Sequence, residues 1–278
     1  MTGHDGGVGA VGGVTELTPE SVQAELDLAL ELADECDALT LPVYEHRSFT
    51  LDWKANRTEV TEADRGTERM LADRLVGARP EHGVFGEEHG LTGRESSPWR
   101  WVIDPIDGTS GFVRGIPVWA TLLALTHARH GVVVGVVSAP ALGRRWWAGQ
   151  GLGAFADGRS CQVSTVDRLA DAQISVTFSD GWDELGLTPR LTELLQGARR
   201  ARGFGDFWQH TLVAEGAIDL AVDAVGVAPY DLAAVRVVVE EAGGTFTDRH
   251  GESTHEHDTA ISSNGLLHHE AVDRLGRP

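Results

Sequence analysis

The chain has 278 residues, 41% of them hydrophobic and 23% charged, with 42 acidic against 23 basic residues and a formal charge of -19. With no long Lys/Arg run, such an acidic balance excludes nucleic acid and anionic membrane as partners, and no apolar stretch reaches the roughly 18 residues of a membrane span. Cys36 and Cys161 are too few for a disulfide framework and wrongly arranged for a structural zinc site, so a reducing, cytoplasmic setting is expected.

The Gly-rich residues 1–16 lack the basic start and apolar stretch of a signal peptide and read as a disordered tail. Thr18-Pro19 has the form of an N-cap and first helical position, and Leu26, Ala29, Leu30, Ala33 and Cys36 recur at helical spacing. This helix is expected to end before Pro42. Residues 56–64 read as a polar turn, after which Met70, Leu71 and Leu75 stripe a second helix that ends near Gly77. Gly86-Glu87-Glu88-His89-Gly90 reads as a loop. A strand over 99–103 is expected to stop at Asp104-Pro105, because proline removes a donor and restricts its predecessor. Strands follow at 120–125 and 132–137 around a His130-Gly131 turn, and then a short extended piece that ends near Phe155. Beyond a soft boundary at 160–172 come a strand from Ile174, helices near 188–196, 207–215 and 231–241, and strands at 220–222 and 245–247. The division is therefore an N-terminal α+β subdomain over 17–165 and a C-terminal α/β subdomain over 166–278.

The chemistry concentrates in Trp101-Val102-Ile103-Asp104-Pro105-Ile106-Asp107-Gly108-Thr109-Ser110-Gly111. An apolar strand delivers two carboxylates onto a proline-stiffened turn, and Mg²⁺ takes oxygen ligands in near-octahedral order. A bare D-x-x-D is more often an ordinary turn; the residues after it point further. Gly108 permits a tight backbone path, and a helix beginning near Thr109 would offer free amides to a phosphate oxygen. Glu87 from a separate loop and Asp64 at a helix start offer further oxygens, although each alone reads as a cap or a solvated carboxylate. Arg114, the first cation after this loop, has a structural reading beside a phosphate-binding one, and Trp119, Trp146 and Trp147 fit core packing as well as a substrate wall.

The segments Val60-Thr61-Glu62-Ala63-Asp64, Gly86-Glu87-Glu88, Trp101 to Thr109, Tyr230-Asp231-Leu232-Ala233-Ala234 and Glu241-Ala242-Gly243-Gly244 occur in the order that resembles the inositol monophosphatase family. The resemblance implies a lithium-sensitive, Mg²⁺-dependent, homodimeric phosphatase with a layered α-β-α-β-α sandwich, the α+β fold shared with fructose-1,6-bisphosphatases. It implies Glu87, Asp104, Asp107 and Asp231 as metal ligands, with Ile106 contributing its carbonyl. Catalysis falls to Glu87, Asp64 and Thr109, which orient a water for direct attack, and phosphate binding to Gly108, Thr109 and Ser110. Segments such as Phe112 to Ala120, Arg144-Arg145-Trp146-Trp147-Ala148 and Gly205-Asp206-Phe207-Trp208 resemble the actinobacterial histidinol-phosphate phosphatase branch. Arg114 and Asp206 are then the substrate contacts, Asp206 pairing with the amine of a small phosphorylated metabolite. Two other readings stand beside this one: an inositol or sugar monophosphatase, and a catalytically weakened regulatory or scaffold protein. The latter is suggested by Ser110-Gly111, where the family carries Thr or Lys followed by Asn; a looser phosphate loop is expected there. The His250 to Asp258 segment is peculiar to this chain.

Overall fold

The computed structural model describes residues 17–54 and 58–276, and the tail expected over 1–16 lies outside them. Helix α1 (Pro19–His46) opens on a capping box: the Thr18 hydroxyl accepts the Ser21 amide while Ser21 Oγ accepts the Thr18 amide. It does not end before Pro42. Proline removes one helical hydrogen bond, but Leu41, Val43 and Tyr44 beside it pack on Ile106, Phe112 and Trp119, and that burial carries the helix to a left-handed cap at Arg47. Strands β1 (Leu51–Trp53) and β2 (Glu59–Thr61) pair antiparallel, β2 lying within the stretch 56–64 expected as a polar turn; at three residues each they are too short to show a period.

Helix α2 (Glu62–Ala78) leads into the hairpin of β3 (Gly83–Gly86) and β4 (Gly90–Gly93). Next come β5 (Trp99–Asp107), the short helix α3 (Thr109–Arg114), and the antiparallel run β6 (Ala120–His127), β7 (Gly131–Ala139), β8 (Arg144–Gly149), β9 (Gly153–Ala156) and β10 (Arg159–Ser160). These form an eight-stranded sheet in the order β10-β9-β8-β7-β6-β5-β3-β4, antiparallel except that β3 runs parallel to β5. Contrary to expectation, β5 continues through Asp104-Pro105. Proline is admitted because the ladder is already interrupted there: Asp104 faces Leu122 while Asp107 faces Ala120, so the strand carries one extra residue.

The rest of the chain supplies β11 (Gln173–Val176), α4 (Gly181–Glu184), α5 (Thr188–Gly197), β12 (Arg200–Arg202), α6 (Asp206–Ala214), β13 (Leu220–Val222), α7 (Pro229–Glu241), β14 (Thr245–Thr247), β15 (Ile261–Ser263) and α8 (His268–Leu275). Its five strands form a second sheet in the order β12-β11-β13-β15-β14. Alternation along the strands sorts the cores. Trp101, Ile103, Leu123 and Leu125 face α1 and α2, whereas Val102, Leu122 and Ala124 face Leu232, Val235 and Val238 of α7. Ala221 and Phe246 of the second sheet join the α7 side, while Ile174, Leu220, Val222 and Ile261 pack on α5 and α8. The result is helices, sheet, helices, sheet, helices: the expected α-β-α-β-α sandwich. Among the described residues no helix is long and apolar enough to cross a membrane.

Candidate active site

In a regular strand, residues three apart point to opposite faces. The extra residue in β5 cancels that inversion, so Asp104 and Asp107 turn the same way. Asp104 Oδ1 accepts the Ile106 amide at 2.9 Å, and the Thr121 hydroxyl donates to the Pro105 carbonyl at 2.8 Å, which fixes the kinked segment from both sides. Asp231 is the third residue of α7, where one oxygen accepts the Ala228 amide at 2.7 Å and the other is left for the site. Carboxylate oxygens of Asp104, Asp107 and Asp231 lie within 4.8 Å of one another. Glu87 stands in the β3–β4 turn; because Gly86 is paired with Ile103, this turn rests beside Asp104. All four line one cavity of about 200 Å³ with Gly108, Thr109 and Ser110.

Asp64 repeats the arrangement of Asp231 on α2. Its Oδ2 accepts the Thr61 amide at 2.8 Å and the Thr61 hydroxyl at 2.5 Å, while Oδ1 lies 3.0 Å from the Thr109 hydroxyl. Thr109 Oγ1 is equally 3.0 Å from the Ile106 carbonyl, so its one proton has two acceptors to choose between. Asp206 opens α6 with φ 46°, a left-handed conformation that aspartate tolerates better than most residues. That turn aims the Phe207 amide at Asp107 Oδ2, 2.9 Å away, and leaves the Asp206 carboxylate behind Gly108. Neither Asp206 nor Arg114 lines the cavity itself; Arg114 is engaged elsewhere, Nε donating to Ser110 Oγ at 3.1 Å and a terminal nitrogen reaching Glu59 at 3.2 Å.

The site is charged beyond what the chain itself balances. Burial, and after it Glu87 and Asp107, hold Asp104 well above the usual carboxylate range; burial and then Asp206 do the same to Asp107. Burial pushes Asp231 up to about 7 and Asp206 up to about 6. The donors are all oxygen, and the strongest neighbouring charges on Asp104 are further carboxylates, which is the chemistry of a hard divalent cation site. A larger cavity of about 480 Å³ lies elsewhere, beside Arg144 and Arg159, but there Arg144 already pairs with Asp157 and Glu215 and no such excess of charge exists.

Three features escape a reading of the sequence. Lys54 lies 2.7 Å from Glu87 and 2.6 Å from Glu88, the cation that holds the outer edge of the carboxylate cluster. Buried Asp223 acts electrostatically on Asp107, Asp206 and Asp231, and is held by His210 Nε2 at 3.0 Å, whose Nδ1 is in turn 2.6 Å from Ser262 Oγ. Glu68 lies buried beneath the Glu87 turn. None of them stands in a recognisable local motif.

A family model described as the inositol monophosphatase family matches residues 21–275. The histidinol-phosphatase of Streptomyces coelicolor is 44% identical over 262 residues, 91% of this chain and 97% of that protein. That of Mycobacterium tuberculosis is 46% identical over 261 residues, 90% of this chain and 97% of that one. Among solved structures, an IMPase from Thermotoga maritima superposes with a TM-score of 0.80 at 31% identity, covering 91% of this chain and 97% of that chain.

Proposed function

Since the chain belongs to the inositol monophosphatase family, we propose that it is a Mg²⁺-dependent phosphatase that converts L-histidinol phosphate to L-histidinol and phosphate. As a member it is an enzyme that hydrolyses phosphate monoesters. The observation that carries the hydrolytic reading is the convergence of Asp104, Asp107 and Asp231 beside Gly108, Thr109 and Ser110. The substrate rests on the identity to two histidinol-phosphatases along nine-tenths of the chain.

Glu87, Asp104, Asp107 and Asp231 would hold Mg²⁺, with the Ile106 carbonyl as a backbone ligand. When bound, the cation lowers the pKa of a coordinated water and neutralises charge that develops on the phosphate and the leaving alkoxide. Asp64 draws the Thr109 proton toward itself, so a Thr109 lone pair faces the cavity and accepts from the attacking water. Glu87 accepts that water's second hydrogen and keeps it in line. The first amides of α3, which have no partner within the helix, receive the phosphate oxygens over Gly108, Thr109 and Ser110. Arg114 steadies Ser110 rather than gripping the substrate. Asp206 takes the substrate amine, which an uncharged polyol does not offer. A homodimer belongs to the same proposal and is read by light scattering of the purified protein.

The test is a side-by-side measurement of kcat/KM for histidinol phosphate, inositol monophosphate and several sugar phosphates on one Mg²⁺-saturated preparation. A charge-assisted hydrogen bond worth roughly 1.5 to 3 kcal/mol implies that Asp206→Asn loses about 10- to 150-fold on histidinol phosphate, and much less on a sugar phosphate. Equal losses on both would reject Asp206 as the amine contact. A wild-type preference for inositol phosphate would reject the substrate and leave the inositol or sugar monophosphatase.

A further inference from the structure

Glu68 is a buried carboxylate that the mechanism above does not use. It lies on α2 one turn beyond Asp64, on the same face, and is only 2% exposed. Its oxygens accept the backbone amides of Glu88 at 2.7 Å and His89 at 2.8 Å, and His89 Nδ1 lies 3.1 Å from Oε1. Those amides belong to the turn that carries Glu87. A Cβ on Gly86 would sit 2.2 Å from Glu68 Oε1 and 2.4 Å from its Cδ, so glycine is what admits the carboxylate beneath the turn. Among the described residues Glu68 forms no ion pair with lysine or arginine, and its one basic neighbour is His89. A buried carboxylate without a lysine or arginine partner is expensive unless N–H donors satisfy it. The turn must therefore stay where its amides meet Glu68, and Glu87, between those amides and β3, has its direction set from below.

We propose that Glu68 is a positioning residue for the metal: by clamping the Gly86–Gly90 turn it holds Glu87 toward Asp104 and sets the affinity for Mg²⁺. Lys54 draws the two glutamate side chains from the outer side, whereas Glu68 fixes their main chain from within. The inference rests on the reading of Glu87 as a metal ligand.

Glu68→Gln preserves size but replaces one acceptor oxygen with a carboxamide NH2, a donor that faces a backbone N–H donor. Partners behind a ligand typically govern affinity by one to two orders of magnitude, so calorimetric titration with Mg²⁺ should show binding weakened about tenfold, with kcat at saturating Mg²⁺ within about twofold of wild type. In the metal-free protein the Glu88 and His89 amides should exchange faster with deuterium. An unchanged Mg²⁺ titration overturns the proposal, whether or not thermal stability falls, because a purely structural carboxylate would lower stability alone. If Glu68→Gln does not fold, Glu68→Asp, which keeps the charge but retracts it, is read by the same titration with the same two outcomes. Glu87→Gln separates the premises: if it binds Mg²⁺ as tightly as wild type, the ligand reading itself fails. If it binds weakly while Glu68→Gln binds normally, only the clamp is wrong.

Discussion

A Cβ built on Gly111 would lie 2.7 Å from the Val118 carbonyl oxygen, and the Gly111 carbonyl accepts the Ile116 amide at 2.9 Å. The residues after α3 therefore close directly over this glycine, which corrects the expectation that Ser110-Gly111 loosens the phosphate loop and removes the main reason for a weakened enzyme. Gly108 borders the same carbonyl, 3.0 Å from where its own Cβ would stand, so a displaced Val118 would disturb the floor of the site. We expect Gly111→Asn to cost about 1–3 kcal/mol in urea denaturation, as overpacking does, and to lower kcat/KM. A variant of wild-type stability and activity would show that the Ile116–Val118 segment yields freely. Asp64, Asp104 and Asp107 are legible as candidates because each sits at a local feature, a helix start or a strand end followed by glycine, whereas Asp231 is reached only through the family resemblance. Lys54, Glu68 and the Asp223–His210–Ser262 chain are not legible, because each acquires its meaning from a partner distant in sequence: Glu68 meets a turn 20 residues on, and His210 meets a strand 52 residues on.

Helices α2 and α7 use one device twice: an aspartate in the first turn spends one oxygen on a backbone amide and presents the other to the site. Such starts can be read from sequence, because capping chemistry is local. The bulge in β5 could not be, since Pro105 reads as a stop until the interrupted pairing with β6 is seen, and α1 outruns Pro42 only because of what lies beneath it. The junction of β14, β15 and α8 carries a pH dependence of its own. Thr247 donates its one hydroxyl proton to the Asp248 carbonyl at 2.6 Å, so His268 Nε2 must be the donor in its 2.9 Å contact with Thr247, and Nδ1 accepts from Ser263 at 3.0 Å. The ring is thus held neutral, and burial pushes its pKa down to about 4 from an ordinary 6.5. The unfolded chain binds a proton below the ordinary value where the folded chain does not. The stability contributed by the neutral ring is therefore full above pH 6.5 and falls as the pH drops toward 4, by up to about 3 kcal/mol. Thermal melts of wild type and His268→Gln across that window should diverge at neutral pH and converge on acidification; parallel curves would contradict the assignment.

On the scale of the molecule, the carboxylates of the proposed metal site come from the large sheet and from α7, the helix between the two sheets. The layered fold thereby places Asp231 over the end of β5, and it also confines several like charges in a buried cavity. A cation bound only by the folded chain stabilises it by mass action, about 2.7 kcal/mol at one hundred times its dissociation constant. Metal-stripped protein should accordingly melt at a higher temperature when Mg²⁺ is added, with Asp104→Asn largely insensitive to the addition. The most direct test of a Mg²⁺-dependent phosphatase centred on Glu87, Asp104, Asp107 and Asp231 is phosphate release from histidinol phosphate by the stripped enzyme, before and after Mg²⁺ is restored. The metal-centred mechanism predicts near-complete loss on stripping, recovery with Mg²⁺ in wild type and none in Asp104→Asn; equal release by stripped and restored enzyme would contradict it.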